Sequence, residues 1–246
     1  LNEIASEKSL ETGLSTWPID LQEYSLGGAG NIVNNLHALG CKDLLAFGVI
    51  GNDLWGEKLM QKLNELNVNS EGMIIQEQCW DTPSYVKPYK DKNELNRIDF
   101  GNFNKLDTET LNCLLSLLEN NLQNQDIVII SQQIAGSLFV DEFIEKLLIL
   151  INKFCDTLFI VDSRHNSDDF PSAILKLNDF TAESMVDNTT PKGAGVTREN
   201  VIKTAKTLYK KLKNTIFITR GINGCILVDD GVIKEIPSIK ITGKID

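Results

Sequence analysis

Gly27-Gly-Ala-Gly-Asn31 stands at the head of a helical stripe made by Ile32, Leu36 and Leu39, and Gly40 supplies its stop. Glycines in a strand-to-helix turn let backbone amides approach a ligand, and the Asn31 carboxamide offers a donor and an acceptor to vicinal hydroxyls. A helix start packed tightly on a sheet is the competing reading. A dinucleotide fingerprint is disfavoured, because Gly28-x-Gly30 is followed by Val33 where the third glycine belongs. Further on, Thr219-x-Gly221-x-x-Gly224 follows the strand-like Ile216-Phe-Ile218. Exposed amides and a hydroxyl at the C-terminal end of a parallel strand suit a phosphate or a nucleotide, and a plain turn competes with that reading. Val161-Asp-Ser-Arg-His165 gathers polar residues at another strand end, where Arg164 is either a bidentate phosphate donor or a solvated loop arginine. Arg97 and Asp99 share one strand face, as a phosphate-binding arginine with its partner or as a surface ion pair.

Composition narrows the chemistry. The 246 residues carry a formal charge of −10, which repels nucleic-acid phosphates while leaving room for a local pocket that takes one small anion. Cys41, Cys79, Cys113, Cys155 and Cys225 are odd in number and never form Cys-x-x-Cys, the pattern of reduced cytoplasmic thiols. With His37 and His165 the only histidines, a zinc cluster or a histidine-based triad has little material. The apolar stretch from Phe143 to Phe154 is broken by Glu145, Lys146, Asn152 and Lys153, far short of the ~20 residues a bilayer span needs. No membrane partner and no leader are expected. A first residue of Leu1 and an abrupt end at Asp246 read as the cut ends of a longer chain.

The elements that must position these residues alternate. Leu44–Ile50, Ile127–Ile130, Leu158–Val161, Ala173–Leu175 and Ile216–Ile218 are predicted as buried strands. Leu54–Leu66, Thr108–Leu122, Leu138–Phe154 and Asn200–Leu212 are predicted as helices by their i, i+3, i+4 spacing. This is the rhythm of a mostly parallel sheet flanked by helices. Ile19–Leu26, Gly72–Gln76, Ser84–Tyr89 and Leu95–Phe100 alternate polar and apolar residues and predict a small separate sheet, with a turn at Lys90–Asn93. Asp229-Asp-Gly231 marks a hairpin.

Taken together and in this order, these features resemble the PfkB, or ribokinase-like, sugar kinases, over nearly the whole chain from about Ile19 to Asp246. Gly27–Asn31, Arg97–Phe100, Val161–His165 with Phe170, Leu177-Asn178 and Thr219-Arg-Gly221 look most like the heptose 7-phosphate kinases. The resemblance implies one truncated α/β kinase domain over 1–246, with strands near 19–26 and 72–100 as a β-sheet lid that also forms a homodimer contact. It implies ATP and Mg2+ as cofactors and a small-molecule sugar or sugar phosphate as substrate. Gly27, Gly28 and Asn31 would hold sugar hydroxyls, Arg97 a phosphate already on the sugar, and Asn178, Thr219, Gly221 and Gly224 the nucleotide. Three departures stand out: the family's first strand, with its sugar-binding carboxylate, would precede Leu1. The Asn-x-x-Glu motif appears as Asn178-Asp-Phe-Thr181, with Asp179 or Glu183 as substitutes for the metal-handling glutamate. The Gly-Ala-Gly-Asp segment with the catalytic base would lie beyond Asp246, so the residues given are expected to bind both reactants without turning them over. The rivals are a ligand-sensing pseudokinase, favoured by Thr181, a family member acting on another sugar or a nucleoside, and, more distantly, a nicotinamide-dependent enzyme.

Overall fold

A computed structural model describes residues 1, 5–134, 138–165, 167–187 and 196–240. Packing gathers the chain into two compact units, Leu1–Leu114 and Leu115–Asp246. In the first, α1 (Gly27–Ala38) leads to β1 (Leu45–Gly51), α2 (Leu54–Glu65) and β2 (Asn69–Gln76). β1 and β2 pair in parallel across the α2 connection, with Val49 opposite Ile74. Ala46, Leu63 and Val68 form the buried centre, ringed by Leu26, Val33, Leu59, Met60 and Met73. α2 starts where the Asp53 carboxylate accepts from the Gly56 N–H at 2.8 Å, a side-chain cap on an amide the helix itself leaves unpaired.

The same carboxylate accepts from the Thr82 N–H at 2.7 Å, and the Thr82 hydroxyl accepts from the Gly51 N–H at 2.9 Å. Trp80 Nε1 donates to the Val49 carbonyl at 3.2 Å. These bonds fasten the stretch entering the small strands to the C-terminal end of β1. Beyond it, β3 (Ser84–Val86) pairs with β6 (Ile98–Phe100), and β4 (Tyr89–Lys90) with β5 (Asn93–Glu94), both antiparallel. Asp91 and Lys92, at φ 48° and 69°, make the expected two-residue turn. α3 (Thr108–Leu122) then crosses from the first unit to the second.

Two lid expectations are corrected. Residues 19–26 contain no strand, and Ile19 and Leu21 stand 59% and 70% exposed. Alternation gives a segment one apolar face, but a strand exists only where a neighbour takes up its N–H and C=O groups. Among the described residues no strand precedes Gly27 and Gly28, which lie in the first turn of α1. Gly72–Gln76 lies in β2 and pairs with β1, because a parallel apolar partner was available to it. The small strands are confined to residues 84–100.

The second unit is a six-stranded sheet in the order β12-β11-β10-β9-β8-β7. β7 (Ile127–Gln132), β8 (Leu158–Ser163), β9 (Ile174–Asn178) and β10 (Ile216–Thr219) run parallel; β11 (Cys225–Asp229) and β12 (Val232–Ile236) complete it antiparallel. Asp230 and Gly231, at φ 46° and 76°, form the hairpin turn the Asp-Gly pair predicts. The connections are α4 (Asp141–Lys153), α5 (Asp179–Val186) and α6 (Arg198–Leu212). α4 starts three residues later than Leu138, with Asp141 and Glu142 in its first turn, where acidic side chains suit the helix dipole. The sheet positions Val161, Leu175, Ile216, Ile218 and Val228 are fully buried, as are Val201, Ala205 and Leu208 of α6. Each such Val, Leu or Ile side chain contributes about 1.5–3 kcal/mol. The alternate positions Ile160, Ile174, Phe217 and Leu227 are only half-buried, so the two faces of this sheet are covered unequally.

Asn214, 4% exposed, fixes the start of β10. Its Nδ2 donates to the carbonyls of Phe170 and Ala173 at 2.9 and 2.6 Å, and Leu175 N–H donates to Thr215 O at 2.9 Å. Replacing Asn214 by Ala takes a donor from two carbonyls, of which that of Phe170 keeps the Ala173 N–H at 3.3 Å, and is expected to destabilise the protein by about 1–3 kcal/mol, read as a lower urea midpoint. A midpoint within error of the wild type would show that water replaces the fork freely.

Candidate functional site

Asn178 and Thr219 end neighbouring parallel strands and are register partners. They therefore stand side by side at the C-terminal edge of the second unit's sheet, the edge at which open α/β sheets hold ligands. Asn178 Oδ1 accepts from the Thr181 N–H at 2.6 Å and caps α5. This leaves its NH2 group without a partner among the described residues. The Thr219 hydroxyl donates to the Leu177 carbonyl at 3.2 Å and retains its lone pairs as acceptors. Asp179 Oδ1 accepts from the Phe180 N–H at 2.9 Å, whereas Glu183 Oε1 accepts from the Thr204 hydroxyl at 3.2 Å and so is held against α6. Among the described residues, no group of three His, Cys, Asp or Glu side chains gathers into a metal cluster.

The loop after β10 is a closed turn. Arg220 N–H donates to Gly224 O at 2.8 Å, Asn223 N–H to Arg220 O at 3.0 Å, and Gly224 N–H to Gly221 O at 3.1 Å. The two glycines serve different ends. Gly221, at φ 54°, has open space where a Cβ would stand. Gly224, at φ 80° and ψ −139°, has the Ile236 carbonyl oxygen 2.1 Å from that position and the Ser238 nitrogen at 2.9 Å. It is glycine so that the chain leaving β12 can pass. Arg164, on the loop after β8, lines a shallow recess with Asp168, Phe180, Thr181 and Lys211 and has no side-chain partner among the described residues.

In the first unit, Gly27, Gly28 and Asn31 open α1 and are exposed. α1 has no fully buried residue and is attached through Leu26 and Val33. Gly30 is there for packing: a Cβ would lie 2.5 Å from that of Leu26. Arg97 forms the ion pair foreseen as the plainer reading, with Nε and Nη2 donating to Asp99 at 2.5 and 2.7 Å and its guanidinium 3.8 Å over the Tyr85 ring. The pairing holds the Asp99 carboxyl below the ordinary carboxylate range. Phe100, on the opposite strand face from Arg97, meets Trp55 at 5.7 Å. Sequence reasoning missed α5, although Asn178 is a cap residue with Ala182 buried behind it, and it missed Arg220, which lies between two residues it did single out.

Solved structures share this architecture. Ribokinase from Thermotoga maritima superposes with a TM-score of 0.64 at 20% identity, covering 88% of this chain and 67% of its own. Phosphofructokinase-2 from Escherichia coli in complex with fructose-6-phosphate does so at 0.63 and 20%, covering 89% and 70%. The fold is ribokinase-like α/β. The sequence model of the pfkB family of carbohydrate kinases matches residues 15–244, and the chain belongs to that family. Curated relatives include the bifunctional protein HldE of Desulfatibacillum aliphaticivorans, 35% identical over 114 residues, which are 46% of this chain and 23% of that protein. HldE of Campylobacter fetus subsp. fetus is 26% identical over 216 residues, 87% of this chain and 45% of that one. The chain thus spans a quarter to a half of the length of these relatives.

The unequal surroundings of the two loop glycines give a direct expectation. Gly221→Ala adds only the cost of a left-handed L-residue, about 1–2 kcal/mol. Gly224→Ala adds a steric clash to a backbone conformation worth about 1–3 kcal/mol of strain, so its thermal midpoint should fall further than that of Gly221→Ala. Equal midpoints would mean that the Ile236–Ser238 backbone yields.

Proposed function

We propose that the protein transfers the γ-phosphoryl group of ATP to a hydroxyl of a sugar phosphate of the heptose 7-phosphate kind. The observation that carries this reading is the β9–β10 register, which sets the Asn178 cap beside Thr219 and its loop in a chain of a carbohydrate kinase family. Asn178, Thr219 and Gly221 are the nucleotide contacts, with Gly224 shaping the loop. Gly27, Gly28 and Asn31 are the sugar contacts, Asn31 through a carboxamide that both donates and accepts. Arg97, stacked and forked, is the candidate for a phosphate already on the sugar. The heptose class is supported by the motif set quoted above and by the recurrence of HldE among the relatives.

Mg2+ would supply charge neutralisation for the phosphates. Of the two carboxylates expected near it, each accepts one bond through one oxygen, Asp179 from the Phe180 N–H and Glu183 from the Thr204 hydroxyl, and each keeps its second oxygen. One carboxylate completed by phosphate and water oxygens is an ordinary Mg2+ environment. The exposed Tyr85, Tyr89 and Ile98 on the small strands support a homodimer contact there. Thr181 in place of a glutamate favours a second reading, ligand sensing without turnover.

The test follows labelled phosphate from ATP into heptose 7-phosphate, fructose 6-phosphate, ribose and adenosine with the full-length protein. Transfer is expected to favour heptose 7-phosphate, and Asn31→Ala is expected to weaken sugar binding about tenfold to a hundredfold with nucleotide affinity unchanged. Tight ATP binding with no transfer to any acceptor would select the sensor reading. Unchanged sugar affinity in Asn31→Ala would remove the sugar role of α1.

A further inference from the structure

Arg220 Nε is buried and has no hydrogen-bond partner among the described residues, an uncommon state for a group this polar. The residue lies between Thr219 and Gly221 in the closed turn, at the sheet edge beside Asn178. A nearby carboxylate, Glu235 on β12, is already engaged: both Arg198 Nε and Nη2 donate to it, the former at 2.8 Å. Its carboxyl is held below the ordinary carboxylate range by the bond to Arg198 first, with the charge of Arg220 a smaller contribution. Arg220 forms no ion pair with Glu235 or any other carboxylate among the described residues. Glu235 and Glu199 both pair with Arg198, which leaves the Arg220 guanidinium with no carboxylate of its own among the described residues, in a chain whose overall charge is −10.

The loop's own amides are poorly placed to supply what that charge can. Three of the five N–H groups from Arg220 to Gly224, those of Arg220, Asn223 and Gly224, close the turn internally. The Ile222 carbonyl accepts from the Ser238 hydroxyl at 2.6 Å, fixing the turn from its other side. A glycine loop that cradles phosphate does so with unspent amides, and here most are spent.

We propose that the Arg220 side chain is the anion-binding group of this loop, contacting the phosphate chain of the bound nucleoside triphosphate or diphosphate. The proposal rests on the nucleotide reading of Thr219–Gly224. A guanidinium suits it because it is always charged and presents paired N–H donors in a plane that matches phosphate oxygens. The adenosine portion makes no use of this charge.

Calorimetric titration of the full-length wild type, Arg220→Gln and Arg220→Lys with ATP, ADP and adenosine separates the possibilities. Arg220→Gln should weaken ATP and ADP about tenfold or more and leave adenosine unchanged, with Arg220→Lys in between. Wild-type ATP affinity should also fall with added salt while adenosine affinity does not, a readout that needs no variant and stands even if Arg220→Gln fails to fold. Equal losses for ATP and adenosine would make Arg220 a structural partner of Glu235 and overturn the proposal. So would retained ATP affinity in a folded Arg220→Gln protein, with the nucleotide site itself left standing. A wild type that binds none of the three would overturn the nucleotide reading and the proposal with it.

Discussion

The Asn214 fork sets the geometry on which the second unit's site depends. A parallel strand pair can slip, and a one-residue slip turns every side chain to the opposite face. By donating to Phe170 and Ala173 from the start of β10, Asn214 fixes β9 against β10 at their N-terminal ends. The ladder carries that register four pairs along to Asn178 and Thr219. Burial of Leu175, Leu177, Ile216 and Ile218 enforces the same alignment, since a slip of either strand would move its own pair out of the core. The site's two side chains are neighbours because a carboxamide at the far end of the sheet leaves the backbone no second arrangement.

A different device acts in the first unit. Asp53 caps α2 with one carboxylate oxygen and takes the Thr82 N–H with the other, while Thr82 closes onto Gly51. Three backbone amides that a strand end, a helix start and a connecting stretch would each leave open are satisfied by two side chains. The small strands that follow are two or three residues long and gain little from their own pairing. Their placement therefore depends on this root and on the Phe100–Trp55 contact more than on the ladder itself.

Much of this was legible in the sequence. The parallel strands are near-continuous Val, Ile, Leu and Phe runs, and the helices repeat apolar residues at helical spacing, so both periods were strong. Asp91-Lys92 and Asp230-Gly231 showed as turns because few residues adopt positive φ readily. The stretch from Ile19 to Leu26 misled, since alternation records one apolar face and says nothing of a partner strand. α5 went unseen because eight residues give barely two turns of periodicity. In the candidate site, residue types marked the loop, but the separate reasons for its glycines were invisible: Gly224 answers to Ile236 and Ser238, which lie a hairpin away. Arg97 showed its pairing with Asp99 in the two-residue spacing; its stacking on Tyr85 required the β3–β6 register.

Electrostatics decides how such a chain can hold a phosphorylated ligand at all. The mean field of a surface at −10 repels a polyanion. That field is screened over roughly 8–10 Å at physiological salt, so recognition turns on the few charges within that distance. At the loop after β10, Arg198 pairs with both Glu235 and Glu199, and Arg220 has no ion pair among the described residues. Exposed ion pairs are screened by solvent and add little to stability, so the Arg198–Glu235 pair is a weak brace for the fold. Its larger effect is on its neighbour: with Glu235 bonded to Arg198, Arg220 keeps its guanidinium free of an ion pair among the described residues, a single cation open to an anion on an acidic molecule.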